Sequence, residues 1–250
     1  MTTTYAEPVT ARPGKPAADE FTAVMRQDWR EMLFLHWRVD RDEVAARLPA
    51  PLEVDVHGGA AWIGLVPFRV ERVRPPALPP APLVSTFGEV NVRTYVRGPD
   101  GEPGIWFFSL DADSRLAVES AKLLYRLPYF AADVRLTRDG AGGDVTFVSE
   151  RRDGGARCRA VWRPAPGRGT PVAPGTLDEF LIERYVLFAE SRGSLFRARV
   201  LHEDYPVHAA ELVELEDELV HRAGFEVTGE PLVHASPGVD VEVSAPEPID

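Results

Sequence analysis

Four polar side chains of different chemistry share one face of a predicted strand, FGEVNVRTYV at residues 87–96. Because successive side chains of a strand point to opposite faces, this face carries a carboxylate, an amide, a guanidinium and a phenol, from Glu89, Asn91, Arg93 and Tyr95. Inside a barrel, Arg93 can bind a carboxylate bidentately and Glu89 can act as a general base or orient a ligand. On an exposed sheet the same residues would be solvated, and the strand alone leaves both interpretations open.

The spacing of the two charged groups limits how they can interact. Glu89 and Arg93 are four residues apart, which is roughly 13 Å along a strand at about 3.3 Å per residue. Direct contact along the strand is therefore excluded, and each group needs a partner on another strand or a ligand.

The elements that must position these residues are mostly short strands. Runs rich in β-branched and aromatic residues, separated by Gly and Pro turns, predict strands at 52–56, 60–73, 86–96, 105–110, 158–162, 195–201, 210–215 and 239–243, with more between 130 and 148. Helices are predicted after the Asp40 cap, over 114–125, over Leu177–Glu190 behind the capping box TLDE, and near 217–223.

This pattern predicts an α+β fold built on a large, mostly antiparallel β-barrel or sheet with a few flanking helices. We expect residues 1–24 to form a disordered tail, 25–243 a single domain, and 244–250 a second tail. A division into two domains near the Gly/Pro-rich loop at 164–175 is the alternative.

Composition excludes several classes of partner. The formal net charge of −11 argues against nucleic acid and anionic membranes. The N-terminal segment has no apolar core of a signal peptide, and no window approaches the ~20 apolar residues of a membrane span. A single cysteine, Cys158, permits no intrachain disulfide, which fits a reducing compartment. We therefore predict a cytoplasmic protein whose partner is a small-molecule ligand, and the sequence leaves open a homo-oligomer.

Common catalytic and cofactor motifs are absent from the sequence. It contains no Walker A pattern and no G-x-S-x-G elbow, and the glycines at 98, 101 and 104 lack the strand–turn–helix context of a dinucleotide site. The six histidines form no H-x-H or H-x-x-x-H pair. We predict no cofactor and no metal site, and we interpret Cys158 as a structural thiol. What is left is carboxylate and guanidinium chemistry.

Eight ordered segments resemble the YqjF-like domain-of-unknown-function family of bacterial proteins, over residues 25–243. They are WREMLFLHW (29–37), LPAPLEVD (48–55), AWIGLVPF (61–68), EVNVRTYV (89–96), WFFSLDADS (106–114), LPYFAA (127–132), ERYVLF (183–188) and SPGVDV (236–241). That family is similar to the acetoacetate decarboxylases, so the resemblance implies a closed antiparallel barrel with helices outside and a ligand cavity within. It also implies that Glu89 occupies the position of an interior glutamate of those enzymes.

One departure from the decarboxylases bears on the reaction. Their Schiff base forms on a lysine whose amine pKa is lowered by burial and by an adjacent lysine. The matching positions here are Tyr129 and Phe130, and only two lysines exist in the chain, Lys15 and Lys122. Lys122 lies on the preceding predicted helix, more than a turn away. The resemblance therefore does not imply Schiff-base decarboxylation.

These observations predict a barrel that binds a small organic carboxylate or carbonyl compound, with lyase, hydratase or isomerase chemistry that needs no Schiff base. Glu89 and Arg93 are the catalytic candidates, and the ligand-binding candidates are Asn91, Tyr95, Tyr129, Arg184 and Tyr185. The two phenols Tyr95 and Tyr129 could donate to an oxyanion. The alternatives are a non-catalytic metabolite-binding or sensing protein, and purely structural ion pairs, for example from Arg184.

Overall fold

The computed structural model describes residues 12–80, 85–114, 118–119 and 125–249. These residues form thirteen strands: β1 (Ala23–Val39), β2 (Glu53–Val54), β3 (Ala61–Arg74), β4 (Phe87–Arg97), β5 (Pro103–Ala112), β6 (Tyr129–Arg138), β7 (Val145–Arg151), β8 (Arg157–Pro164), β9 (Val186–Ser191), β10 (Ser194–His202), β11 (His208–Asp217), β12 (Leu232–Ser244) and β13 (Glu247–Ile249). Within the same residues lie three short helices: α1 (Arg41–Ala45), α2 (Leu177–Ile182) and α3 (Leu219–Arg222).

Nine of these strands close into a barrel. The hydrogen-bonded circuit runs β4-β5-β6-β7-β8-β11-β12-β1-β3 and returns to β4. Its pairs are antiparallel apart from β5–β6, which is parallel. The predicted α+β barrel is therefore confirmed, with the detail that the sheet is mixed.

A second circuit shares five strands with the first. The first half of β5 pairs with β9, and the far half of β12 pairs with β10. The strands β9 and β10 therefore close a second ring with β12, β1, β3, β4 and β5. The five shared strands form a wall with a hydrophobic core on each side. One core includes residues of β7 and β8, and the other includes residues of β10 and α2.

This shared wall explains the burial of β4. All of its residues from Phe87 to Val96 are buried, although their polarity alternates. Val90 and Val92 pack in the core on the β7–β8 side, whereas Tyr95 packs in the core on the β9–β10 side. The polar face that carries Glu89 and Arg93 therefore lies inside the protein.

Local signals set the beginnings of two helices. The Asp40 carboxylate accepts hydrogen bonds from the backbone N–H groups of Asp42 and Glu43 at the start of α1. The Thr176 hydroxyl accepts from the N–H of Glu179 at the start of α2. Both are the N-caps that the sequence predicts, because a side-chain oxygen satisfies N–H groups that have no partner within the helix.

The predicted end of helix α2 is wrong. The sequence predicts a helix over Leu177–Glu190, but α2 ends at Ile182 and residues 186–191 form β9. Val186 and Phe188 are buried in a hydrophobic cluster and their strand pairs with β5 and β10. Tertiary pairing thus overrides the helical pattern of this segment. The predicted helix at 114–125 falls largely outside the described residues.

Both predicted tails contribute contacts where they are described. Arg12 is buried and donates to Glu179 and Asp204, and the Lys15 ammonium lies 2.8 Å from Asp204. At the other end of the chain, β13 pairs with β10. Residues 1–11 lie outside the described part of the chain.

Candidate functional site

The polar face of β4 borders a cavity on the β9–β10 side of the shared wall. Glu89, Asn91 and Arg93 line it, and its volume is about 120 Å³, several times what one buried water needs. Most of the other lining side chains are apolar: Met25, Trp29, Met32, Val66, Phe68, Val70, Phe87, Ile105, Phe107, Leu110, Leu127, Ile182, Val186, Leu187, Val200 and Val243. Three of the polar lining groups lie in a row along β4, and the others, Gln27, Tyr125, Tyr129, Arg184 and Tyr205, come from other parts of the chain.

Glu89 is a buried carboxyl group with one hydrogen-bond donor among the residues that the structure describes. The Tyr129 hydroxyl, at the start of β6, donates to Glu89 Oε2 over 2.8 Å. Burial raises the pKa of Glu89 to about 7, the hydrogen bond from Tyr129 opposes this rise, and the Asp111 carboxylate adds to it. Near neutral pH the group therefore exists in both protonation states, which suits it to accept and return a proton.

Arg93 is a buried cation with an incomplete set of partners. Its Nη2 donates to the backbone carbonyl of Leu181 over 3.0 Å, and its guanidinium carbon lies 5.6 Å from the centre of the Phe34 ring. Its Nε has no acceptor among the described residues. No carboxylate among the described residues forms an ion pair with it, although a guanidinium in a protein is always charged. An anion is the partner that this side chain lacks.

The orientation of Arg93 depends on the end of α2 and on a glycine. Because α2 ends at Ile182, the carbonyl of Leu181 has no partner within the helix and accepts from Arg93 and from the Tyr95 hydroxyl. Gly64, opposite Arg93 on β3, leaves room for that side chain, since a Cβ there would lie 3.3 Å from Arg93 Cγ.

Asn91 lies between the two charged groups on the same face of β4. Its Oδ1 is buried, and no residue in the described part of the chain donates a hydrogen bond to it. A buried polar atom without a partner costs free energy comparable to a lost hydrogen bond. A ligand with a hydroxyl or N–H group would supply the donor.

Arg184 also lines the cavity, but its charge is already paired. Its Nη1 lies 3.0 Å from Asp55 Oδ2, and both side chains are buried. Its Nε donates to the carbonyl of Phe180 over 2.7 Å. This is the structural ion pair that the sequence left as an alternative for Arg184, so Arg93 is the cavity's cation without a carboxylate partner among the described residues.

The two remaining sequence candidates lie behind the cavity wall. The Tyr95 hydroxyl donates to the Leu181 carbonyl over 2.7 Å and lies 2.7 Å from Nε2 of the buried His36. The Tyr185 hydroxyl donates to Glu183 over 2.6 Å. Neither tyrosine is among the residues that line the cavity.

Tyr205 and Gln27 line the cavity without having been singled out from the sequence. Tyr205 is buried, and that burial raises the pKa of its hydroxyl well above the usual value. It follows a Glu-Asp pair in a short connection between β10 and β11, where no period or motif marks it. Only its three-dimensional position reveals it.

No lysine lines the cavity among the described residues. The Lys15 ammonium pairs with Asp204, and Lys122 lies outside the described part of the chain. Among the residues that the structure describes, no group of three His, Cys, Asp or Glu side chains is placed to hold a metal ion. None of the helices in the described ranges is long and apolar enough to cross a membrane.

The barrel is similar to solved structures of several small-molecule enzymes. The enduracididine biosynthesis enzyme MppR in complex with pyruvate matches with a TM-score of 0.67 and 15% identity, over 92% of each chain. Acetoacetate decarboxylase from Legionella pneumophila matches with a TM-score of 0.65 and 13% identity, over 100% of this chain and 98% of that one. At these identities the likeness establishes the fold.

Sequence comparison establishes the family. The uncharacterized protein YqjF of Bacillus subtilis is 40% identical over 189 residues, which are 75% of this chain and 76% of YqjF. The model of the family DUF2071, described as an uncharacterized conserved protein, matches residues 26–240. The chain therefore belongs to the DUF2071 family, and it has the acetoacetate decarboxylase-like barrel.

Proposed function

We propose that the cavity binds a small organic molecule bearing a carboxylate, with Arg93 as its anchor and Glu89 as a general acid–base. The observation that supports the proposal most directly is that one cavity holds two unusual groups. Arg93 is a cation without a carboxylate partner among the described residues, and Glu89 is a carboxyl group with a pKa of about 7. If these side chains served only as structural ion pairs, the cation would have a carboxylate partner and the pKa of the carboxyl group would not be raised.

The partner of Arg93 is inferred from the donors that it still offers. Nε is buried and has no acceptor within the described ranges, whereas Nη2 donates to the Leu181 carbonyl. A carboxylate is planar and accepts parallel hydrogen bonds from a guanidinium, which makes it the anion that best complements this group. The Phe34 ring, whose centre lies 5.6 Å from the guanidinium carbon, adds a cation–π contact to Arg93.

Glu89 fits proton transfer to and from carbon. As a carboxylate it would remove a proton from the carbon beside a carbonyl, and as the acid it would return that proton to another atom of the same substrate. In an isomerisation the composition of the substrate is unchanged. If Glu89 instead returns the proton to a hydroxyl group that leaves from the neighbouring carbon, water is released, and the reverse reaction is a hydration. Tyr129 keeps Glu89 in position and would donate to its carboxylate form.

The structural neighbours support a carboxylate ligand. One of them is described as an enzyme complexed with pyruvate, and others are acetoacetate decarboxylases or similar enzymes. This chain has Tyr129 and Phe130 where the resemblance places the decarboxylase lysines. The proposed chemistry therefore uses the barrel cavity without a covalent amine intermediate.

The test separates binding from turnover. Carboxylates and 2-oxo or 3-oxo acids are screened by thermal shift, since a ligand that binds only the folded state stabilises it by RT ln(1 + [L]/Kd). The compounds that bind are then incubated with the protein in D₂O, and deuterium uptake beside the carbonyl is followed by NMR.

Three variants make the result specific. We expect Arg93→Met to lose binding and Glu89→Gln to retain binding but lose deuterium uptake. Arg135→Met, which removes an exposed arginine of β6, controls for the loss of one positive charge. Unchanged binding in Arg93→Met would refute the site. Binding without exchange in the wild type would leave a non-catalytic binding protein.

A further inference from the structure

The charges around the cavity limit how many negative charges a ligand can bring. Of the described residues that line it, three carry ionisable acidic or basic side chains other than tyrosine: Glu89, Arg93 and Arg184. Asp55 pairs with Arg184 at 3.0 Å through one oxygen and with Arg97 at 2.9 Å through the other. Arg93 is then one full positive charge without a counter-charge, and Glu89 is a carboxyl group that would repel a second anion whenever it is ionised.

Among the described residues, the rest of the wall offers no second cation that lacks a carboxylate partner. Apart from the row on β4, Arg184, Gln27 and three tyrosines, the described side chains around the cavity are apolar, among them Phe68, Phe87 and Phe107. Burial of an ionised carboxylate against such a surface without a cation is strongly unfavourable. Burial of methylene groups against the same surface is favourable.

From this we infer that the ligand is a monocarboxylic acid with an apolar body, its single carboxylate on Arg93 and its carbon chain along the aromatic and aliphatic wall. The inference rests on the proposed function, because it assigns a substrate class to the same cavity. The inference goes beyond the proposed function in two ways. It excludes dicarboxylates, and it ranks short acids below acids with a longer apolar chain.

The affinity should therefore depend on chain length in a defined way. At about 0.8 kcal/mol per buried methylene, each added CH₂ increases affinity about fourfold until the cavity is filled. A second carboxylate at the far end of a chain of equal length should reduce affinity at least about tenfold, because it meets no cation.

The experiment uses matched pairs of acids on the wild-type protein. Butanoate, hexanoate and octanoate are compared by calorimetry with butanedioate, hexanedioate and octanedioate at pH 7.5. Rising affinity along the monocarboxylates, and weaker binding of each dicarboxylate than of its partner, is the expected result. Equal binding of hexanoate and hexanedioate, or an affinity that does not change with length, would overturn the substrate class.

Failure of this inference can be told apart from failure of the proposed site. The same titrations are run on Arg93→Met, with Arg135→Met as the charge-matched control. If binding depends on Arg93 but dicarboxylates bind as well as monocarboxylates, the site stands and the substrate class is wrong. If no acid binds, or if all of them bind Arg93→Met as they bind the wild type, the proposed function itself fails.

Discussion

Replacing Glu89 by glutamine should make the protein less sensitive to rising pH. The carboxyl group is buried, and its pKa in the folded protein is about 7 compared with 4.5 for a solvated glutamate. A raised folded-state pKa means that the native state holds its proton more tightly than the unfolded state does. Between these two pKa values the wild type therefore loses stability as pH rises, and glutamine, which does not titrate, removes that loss.

The size of the effect follows from the two pKa values. Each unit of difference corresponds to about 1.36 kcal/mol. Summed over both titrations, ionisation of Glu89 lowers the free energy of unfolding by about 0.8 kcal/mol at pH 5 and by about 3.4 kcal/mol at pH 8. The stability of Glu89→Gln relative to wild type should thus increase by about 2.5 kcal/mol across this range. The amide oxygen still accepts from Tyr129, so the packing is preserved.

Urea denaturation of both proteins at half-unit steps from pH 5 to pH 8 measures this difference. Contributions from other groups cancel in it as long as both proteins unfold in two states. Glu150→Gln, which removes an exposed carboxylate of β7, shows the effect of one lost charge alone. A flat difference would refute the raised pKa. A difference that falls with pH would mean that the fold stabilises the ionised form, for instance through Arg93.

Three further changes test the surroundings of the site. Arg151→Met should lower the free energy of unfolding by about 3–5 kcal/mol in urea, because it leaves the fully buried Asp111 without its cation, and the double variant with Asp111→Leu should recover most of that loss. Gly104→Ala should cost about 1–3 kcal/mol and lower Tm, since its Cβ would lie 2.7 Å from a backbone carbonyl oxygen of β9. Tyr129→Phe should raise the pKa of Glu89 further, which a higher midpoint in the pH dependence of ligand binding would show.

The sequence was sufficient for those features that local pattern determines. Alternation along residues 87–96 predicts which side chains share a face, and the structure places Glu89, Asn91 and Arg93 together on a cavity wall. The caps Asp40 and Thr176 likewise begin α1 and α2, because capping depends on residues within one helical turn.

The features that the sequence could not predict depend on contacts between distant segments. Alternating polarity normally indicates one wet face, but β4 is buried on both sides because two rings of strands share it. The pairing of Arg184 with Asp55 joins residues 129 positions apart, so no spacing rule distinguishes Arg184 from Arg93 as an anion anchor. Tyr205 joins the cavity wall for the same reason, through a connection with no pattern of its own.

The early end of α2 connects the fold to the candidate chemistry. Had the helix continued through residue 185, the carbonyl of Leu181 would accept from the backbone N–H of that residue, four positions ahead. The strand that begins at Val186 prevents this, and the free carbonyl accepts instead from Arg93 and Tyr95. Arg93 is thereby held by one nitrogen over an aromatic ring, while its Nε has no acceptor in the part of the chain that the structure describes. The same strand pairing that closes the second ring of the barrel therefore also orients the cation that we expect to bind the ligand.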